Sequence, residues 1–120
     1  MTTRDQGSLH ESLACLYLQE QGLTLLTSNH HSRFGEIDLI MKDGETIVFV
    51  EVRYRRNASF GGAALSITPA KQRKITLTAL HYLQQKRKNN EPCRFDVFAV
   101  TGQKNNSAPL WIKNAFDASL

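Results

Sequence analysis

Three carboxylates lie inside two of the most strand-like segments of this chain. Glu36 and Asp38 belong to the segment GEIDLI, and Glu51 belongs to FVEVRYR. Strand interiors are depleted of Asp and, less strongly, of Glu, because a carboxylate on a half-buried pleated face loses water and needs a partner. These side chains are therefore the first candidates for a functional site, and their partner has to be identified.

A short turn connects the two segments. The dipeptide Asp43-Gly44 is typical of a type I′ hairpin turn, which predicts strands over residues 36–42 and 46–53. With that turn, residues whose numbers sum to 87 lie opposite each other, so that Asp38 faces Phe49. The alternation of side chains along each strand then decides which residues share a face.

The predicted register places Glu36, Asp38, Glu51 and Arg53 on one face of the hairpin. Asp38 and Glu51 become diagonal neighbours, with β-carbons within roughly 8 Å of each other. Two carboxylates this close repel unless protonation, a cation or an ion pair relieves the repulsion. Arg53 would be a structural partner. A hard cation such as Mg²⁺, which needs only one or two protein carboxylates, would be a functional partner. The residues alone leave both partners open.

Length, charge and hydropathy limit the class of protein. A chain of 120 residues suits one globular domain, and no apolar run approaches the roughly 18 residues that span a bilayer. The N-terminus has no apolar signal-like region, which favours a cytoplasmic protein without a membrane partner. Cys15 and Cys93 are far apart and outside any C-x-x-C pattern, so we expect small reduced core residues rather than a disulfide or zinc site.

The net charge of +4 and the pI of about 9.3 come with basic clusters at residues 53–56, 71–74 and 86–88. Clustered positive charge is typical of a surface that binds phosphate groups. Solvated helix faces and loops produce the same pattern, so charge alone decides nothing.

The periodicities predict an αβββαβ order followed by a terminal β segment. Ser8 and Glu11 form a capping box for a helix over 9–21, and Gly22 is placed to end it. Thr68 as N-cap and Pro69 in the first turn begin a second helix. The apolar side of that helix excludes Lys71, Arg73, Lys74 and Thr78. The remaining predicted strands cover 23–29, the hairpin, 93–101 and the segment LWIKNAF.

The motifs GEIDLI, FVEVRYR, FGGAA and RFDV together resemble the YraN-like family of small bacterial proteins. That family is assigned to the restriction-endonuclease-like, PD-(D/E)XK superfamily, near the archaeal Holliday-junction resolvases. The resemblance covers roughly residues 8–101. It implies an α/β fold with a restriction-endonuclease-like αβββαβ core, in which helices flank a mixed central sheet. A single nuclease-like domain would span residues 1–120, with a C-terminal extension over 102–120.

The resemblance also implies a metal site and a reaction. Asp38 and Glu51 would bind Mg²⁺ or Mn²⁺, the backbone carbonyl of Val52 would be a third ligand, and Glu11 would help to hold the metal. The capping box explains Glu11 equally well. The implied function is a metal-dependent endonuclease that acts on DNA, including structured or branched DNA. The alternative is a catalytically inactive nucleic-acid-binding or adaptor module, and a homodimer is compatible by analogy.

One residue departs from the superfamily pattern, because Arg53 stands where lysine is usual. Arginine stays protonated, so Arg53 cannot be a general base, although it can hold a phosphate oxygen. Lys71 or Gln72 could reach the site from the second helix, but an exposed first-turn position is the favoured interpretation for both. The predicted backbone contacts to nucleic acid are Arg55, Arg56, Lys71, Arg73 and Lys74.

Four other features invite a function, and each has a simpler explanation. His30 and His31 are expected to face solvent in a polar loop, and Gly61-Gly62 to form a flexible connection or a loop at the rim of the site. Asp96 is expected to pair with Arg94 or a base on a neighbouring strand. Trp111 is interpreted as a core or interface residue rather than a base-stacking platform.

Overall fold

The computed structural model describes residues 3–55, 67–88, 90–101 and 109–118. Two helices and five strands follow the predicted order, with the terminal segment forming a fifth strand. The elements are α1 (Thr3–Glu20), β1 (Thr24–Ser32), β2 (Gly35–Asp43), β3 (Thr46–Arg55), α2 (Pro69–Gln85), β4 (Cys93–Thr101) and β5 (Leu110–Phe116). Neither described helix combines the length and the apolar character needed to cross a membrane.

The five strands form one mixed sheet in the order β1-β2-β3-β4-β5. β3 and β4 are parallel, and α2 connects them along the chain. The other neighbouring pairs are antiparallel. The predicted mixed sheet with flanking helices is therefore confirmed.

Side chains alternate between the two faces of the sheet, and one helix packs on each face. In β3, Ile47 and Phe49 belong to the core cluster that contains residues of α2. Val48 and Val50 belong to the cluster that contains residues of α1. Because both faces are covered, β3 has a continuous apolar run rather than an alternating one.

α1 begins at Thr3, five residues before the predicted N-cap. Ser8 therefore lies inside the helix, and the predicted capping box with Glu11 is wrong. The predicted end is correct, because Gly22 adopts a φ of 103° and its N–H donates to the carbonyl of Gln19 at 3.0 Å. The Leu23 N–H donates to the carbonyl of Leu18 at 3.0 Å, which completes a Schellman motif.

α2 begins as its sequence predicts. The Thr68 hydroxyl accepts a hydrogen bond from the Lys71 N–H at 3.1 Å, and Pro69 occupies the first turn. Thr78, however, is fully buried, in contrast to the prediction. Its hydroxyl donates to the Lys74 carbonyl at 2.9 Å, so that its polar group is satisfied inside the protein.

The hairpin register differs from the prediction by two residues. Asp43 faces Thr46 and Leu39 faces Val50, so partner numbers sum to 89 rather than 87. The turn residues are therefore Gly44 and Glu45, and Gly44 adopts the left-handed conformation with a φ of 61°. A shift of two residues keeps the side chains of the paired residues 39–43 and 46–50 on their predicted faces, whereas a shift of one would have reversed them.

Two further expectations are wrong. β1 extends through His30 and His31, which pair with Ile37 and Glu36, so the predicted polar loop is part of a strand. The cysteines are free, as expected, and half-buried Cys15 packs against the core cluster around α1, but Cys93 is exposed and is not a core residue. Gly61-Gly62 and Arg56 lie outside the described residues.

Candidate functional site

Leu39 and Val50 form the last pair of the β2–β3 hairpin on the side away from the turn, and Asp38 is the next residue of β2. Its Oδ2 atom accepts a hydrogen bond from the Val52 N–H at 2.8 Å. A side chain of one strand thus binds the backbone of its neighbour, and this bond fixes the Asp38 carboxylate beside Glu51.

Glu51 is buried, with 6% of its surface exposed. Its carboxyl group lies within hydrogen-bonding reach of the Asp38 carboxyl group. Burial and the negative charge of Asp38 raise the pKa of Glu51 from its ordinary value of 4.5 to about 8. At neutral pH Glu51 is therefore largely protonated, and protonation is one of the three forms of relief that the sequence analysis named for this pair.

Lys71 approaches the same pair from α2. Its Nζ atom lies 3.4 Å from Oε2 of Glu51, so it is not merely an exposed first-turn residue, as the sequence favoured. The ammonium group lowers the pKa of Glu51, but burial and Asp38 have the larger effect. Because 42% of the Lys71 side chain is exposed, its charge remains screened by water. Gln72 instead donates to the carbonyl of Ile67 at 3.1 Å.

Glu11 reaches Asp38 from α1. Burial and the negative charge of Asp38 raise the pKa of Glu11, while a hydrogen bond from the Asn29 side chain lowers it. A carboxylate from a helix on one side of the sheet and a lysine from the helix on the other side thus meet the same pair of strand carboxylates. Glu11 lies well inside α1, so it contacts Asp38 and does not cap the helix, which was the other role that the sequence allowed.

Asn29 was missed by the sequence analysis. It adopts a φ of 53° within β1, between the pairs Ser28–Leu39 and His30–Ile37, and therefore lies across from Asp38. Asparagine is depleted in strands but tolerates the left-handed region better than most residues. In the sequence, Asn29 is the last residue of the predicted strand over 23–29, and nothing there connected it to Asp38.

The remaining predicted residues lie around this cluster. Glu36 contacts His31, with 3.2 Å between Oε2 and Nδ1. Arg53 is half-buried on β3, paired with Ala99 in the parallel ladder. Arg73 and Lys74 are exposed on α2. Arg55 ends β3.

The donor set fits a hard cation. Asp38, Glu51 and Glu11 offer carboxylate oxygens, and the Val52 carbonyl belongs to the residue whose N–H holds Asp38. In the described ranges, no three His, Cys, Asp or Glu side chains stand close enough together to form a metal-binding group. Mg²⁺ tolerates this, because it retains several waters and binds through one or two protein carboxylates. Zinc, which prefers four closely placed nitrogen and sulfur ligands, would not fit.

Comparison with known proteins places this site in a family context. The uncharacterised protein family UPF0102 matches residues 10–100. A UPF0102 protein of Nitrosococcus oceani is 53% identical over 116 residues, which is 96% of this chain and 94% of the relative. Its counterpart in Nitrosomonas eutropha is 54% identical over 116 residues, covering 97% of both chains.

The chain belongs to this family. The YraN-like resemblance seen in the sequence motifs is thereby confirmed. A UPF0102 protein of Pseudomonas syringae is 49% identical over 120 residues, covering 98% of both chains. The matched segment includes Glu11, Asp38, Glu51 and Lys71, so the complete cluster lies inside the part of the chain that defines the family.

Proposed function

We propose that this protein is a Mg²⁺- or Mn²⁺-dependent DNA endonuclease. The observation that carries the proposal is the buried Glu51 carboxyl group in contact with the carboxyl group of Asp38. A buried carboxylate beside a second carboxylate is unfavourable unless a proton or a cation is shared between them. In the metal-free protein a proton on Glu51 relieves the repulsion. In the metal-bound protein a divalent cation would replace that proton.

The residues of the cluster have distinct tasks in this proposal. Asp38, Glu51 and the Val52 carbonyl would hold the cation, with Glu11 next to them. A bound Mg²⁺ would polarise the phosphodiester and lower the pKa of a coordinated water. The Val52 N–H holds Asp38 in place through its bond of 2.8 Å, and Glu51 must release its proton for the cation to bind.

The basic residues would bind the DNA. When Glu51 serves as a ligand, the Lys71 ammonium becomes available to a phosphate oxygen beside the site. Arg53 stays protonated and would stabilise negative charge rather than accept a proton. Arg55, Arg56, Arg73 and Lys74 would contact the backbone without reading sequence, so that binding weakens steeply with salt.

Calorimetric titration with Mn²⁺ tests the metal site. We expect Asp38→Asn and Glu51→Gln each to weaken binding by about tenfold or more, because each removes a ligand charge. Glu45→Gln, in the turn of the same hairpin, is the matched control and should change affinity less than about twofold. Because Glu51 must lose its proton, affinity should rise with pH and level off above about pH 8. Identical titrations for all four proteins would refute the metal site.

Cleavage assays test the reaction itself. Linear, forked and four-way DNA are incubated with Mg²⁺ or Mn²⁺, and we expect a product that EDTA abolishes and that Asp38→Asn and Glu51→Gln fail to form. A product that persists in both variants would identify a contaminating nuclease and contradict the proposal.

A DNA-binding module without turnover is the second candidate. Two observations favour it: no three-ligand metal group is assembled within the described parts of the chain, and the fold itself already places a cation, Lys71, 3.4 Å from Glu51. Under this alternative, the protein binds DNA with a strong salt dependence, and neither Mn²⁺ titration nor cleavage gives a signal.

A further inference from the structure

A second concave site lies between the β1–β2 turn and the outer side of α2. It encloses about 520 Å³ of space. This volume falls within the range of small-molecule pockets. The residues that line it are Arg33, Phe34, Leu77, Leu80, His81 and Gln84.

The turn that forms one wall is attached to α2. The hydroxyl groups of Ser32 and Thr78 lie 3.0 Å apart, and the Phe34 N–H donates to the Ser32 hydroxyl at 3.1 Å. Behind the pocket, Nε2 of His30 lies 3.3 Å from Nδ1 of His81. These contacts hold the turn and the helix in one arrangement, so the pocket exists before a ligand arrives.

The lining residues combine flat apolar surface with hydrogen-bonding groups. The Arg33 guanidinium lies 4.9 Å from the centroid of the Phe34 ring, and Leu80 is one of the few exposed large apolar residues of the described chain. His81 and Gln84 supply donors and acceptors at the opposite wall. None of the six lining residues is acidic. A planar, uncharged ligand rich in hydrogen-bonding groups fits this composition, and a nucleobase has those properties.

The pocket and the carboxylate cluster lie along the same helix. Lys71, which contacts Glu51, precedes the pocket residues of α2, from Leu77 to Gln84, by six to thirteen residues, or about 9–20 Å along the helix axis. Exposed Arg73 and Lys74 lie between them in sequence. A strand of duplex DNA advances about 3.4 Å per nucleotide, so the pocket lies roughly three to six nucleotides from the cluster.

We propose that this pocket binds an unpaired base of the DNA strand whose phosphate lies at the Asp38–Glu51 cluster. The inference rests on the proposed function and extends it, because it assigns the protein a substrate with an unstacked base rather than a regular duplex. Exposed Lys86 and Arg87, just beyond the end of α2, supply positive charge on the far side of the pocket.

Fluorescence anisotropy in EDTA, where metal-dependent cleavage cannot occur, tests the inference. The probes are a labelled duplex with one unpaired thymine and the same duplex fully paired. We expect Phe34→Leu, which keeps apolar volume but removes the aromatic plane, to weaken binding of the first probe about fivefold or more. Binding of the paired duplex should change less than about twofold. Gln84→Ala should show the same selectivity with a smaller loss.

Lys74→Gln is the matched control, because it alters a backbone contact rather than a base contact. It should weaken both probes equally and reduce the slope of log affinity against log salt by about one. Equal effects of Phe34→Leu on the two probes, or binding to neither probe, would overturn the inference. Its failure is separable from that of the proposed function, since Mn²⁺ titration and cleavage report on Asp38 and Glu51 alone.

Discussion

Two buried carboxylates on adjacent central strands have opposite surroundings. Asp96 on β4 is fully buried and accepts hydrogen bonds from three donors. The single Nε–H of Arg94 is shared between its two oxygens at 3.0 and 3.2 Å, and the Trp111 Nε1–H and the Asn114 N–H each donate at 2.9 Å. Glu51 on β3 faces another carboxyl group and a single, partly exposed lysine.

The difference separates a structural carboxylate from a functional one. Donors surround Asp96, so its charge is satisfied within the fold, and the predicted pairing with Arg94 is confirmed. Trp111 packs against the core cluster around α1 and donates to Asp96, as expected for a core residue rather than a base-stacking platform. Glu51 has a second carboxylate beside it, whose charge Lys71 offsets only in part and which a proton or an added cation relieves.

Asp96→Ala should cause the largest loss of stability. The change leaves the Arg94 Nε–H, the Trp111 N–H and the Asn114 N–H without their acceptor, although Nη1 of Arg94 keeps Asp43 at 3.0 Å. Removal of one partner from a buried ion pair costs about 3–5 kcal/mol. Urea denaturation gives the free energy of unfolding. Trp111→Phe removes one donor and should cost about 1 kcal/mol from that bond. A loss below 1 kcal/mol for Asp96→Ala would show that this carboxylate is not structural.

Glu51→Gln should increase the free energy of unfolding, in contrast to Asp96→Ala, and the increase should depend on pH. The folded pKa of about 8 lies above the ordinary 4.5, so the native protein binds more protons than the unfolded chain between these values. Its stability therefore falls as pH rises from about 4.5 to 8, and glutamine removes that loss. We expect Glu51→Gln to be more stable than the parent by on the order of 3 kcal/mol at pH 9, with little difference at pH 5.

Urea denaturation of both proteins at the two pH values measures this effect. Asp38→Asn is the matched variant, because it removes the neighbouring negative charge and should reduce the pH dependence without eliminating it. A difference between Glu51→Gln and the parent that is the same at pH 5 and pH 9 would mean that Glu51 is already ionised at low pH.

The sequence predicted the convergence of Asp38 and Glu51 although it gave the wrong register. Strand identity and face follow from alternation along the chain, and the error of two residues preserved both. The predicted turn was Asp43-Gly44, with glycine second. In the structure the turn is Gly44-Glu45, and Gly44, in the left-handed conformation, is its first residue. The length of β1 was missed because His30 is stabilised by His81 and Tyr82 of α2, which are distant in sequence.

Lys71 shows why the rest of the site could not be decided from the sequence, which allowed this residue either to reach the site or to stay exposed. Nothing in the sequence near Pro69 shows that the first turn of α2 lies over β3, because this depends on how the helix packs across the sheet. Glu11 was predicted for two reasons, and only tertiary structure separates the capping role from the contact with Asp38. Strand residues were therefore easier to place than helix residues that approach from either side.

Lys71→Met should produce the smallest effect, and its pH dependence makes it informative. At pH 6 Glu51 is protonated, so the lysine at 3.4 Å gains little and its loss should hardly change stability. At pH 9 Glu51 is ionised, and losing the pair should cost under about 1 kcal/mol because Lys71 is partly exposed. Arg73→Met, on the exposed side of the same helix turn, should show no such difference between the two pH values.

In a Glu51→Gln background the pH dependence of Lys71→Met should vanish, because the charge it responds to is gone. If it persists there, Lys71 stabilises some other group, and the contrast between Glu51 and the donor-rich Asp96 would rest on Asp38 alone.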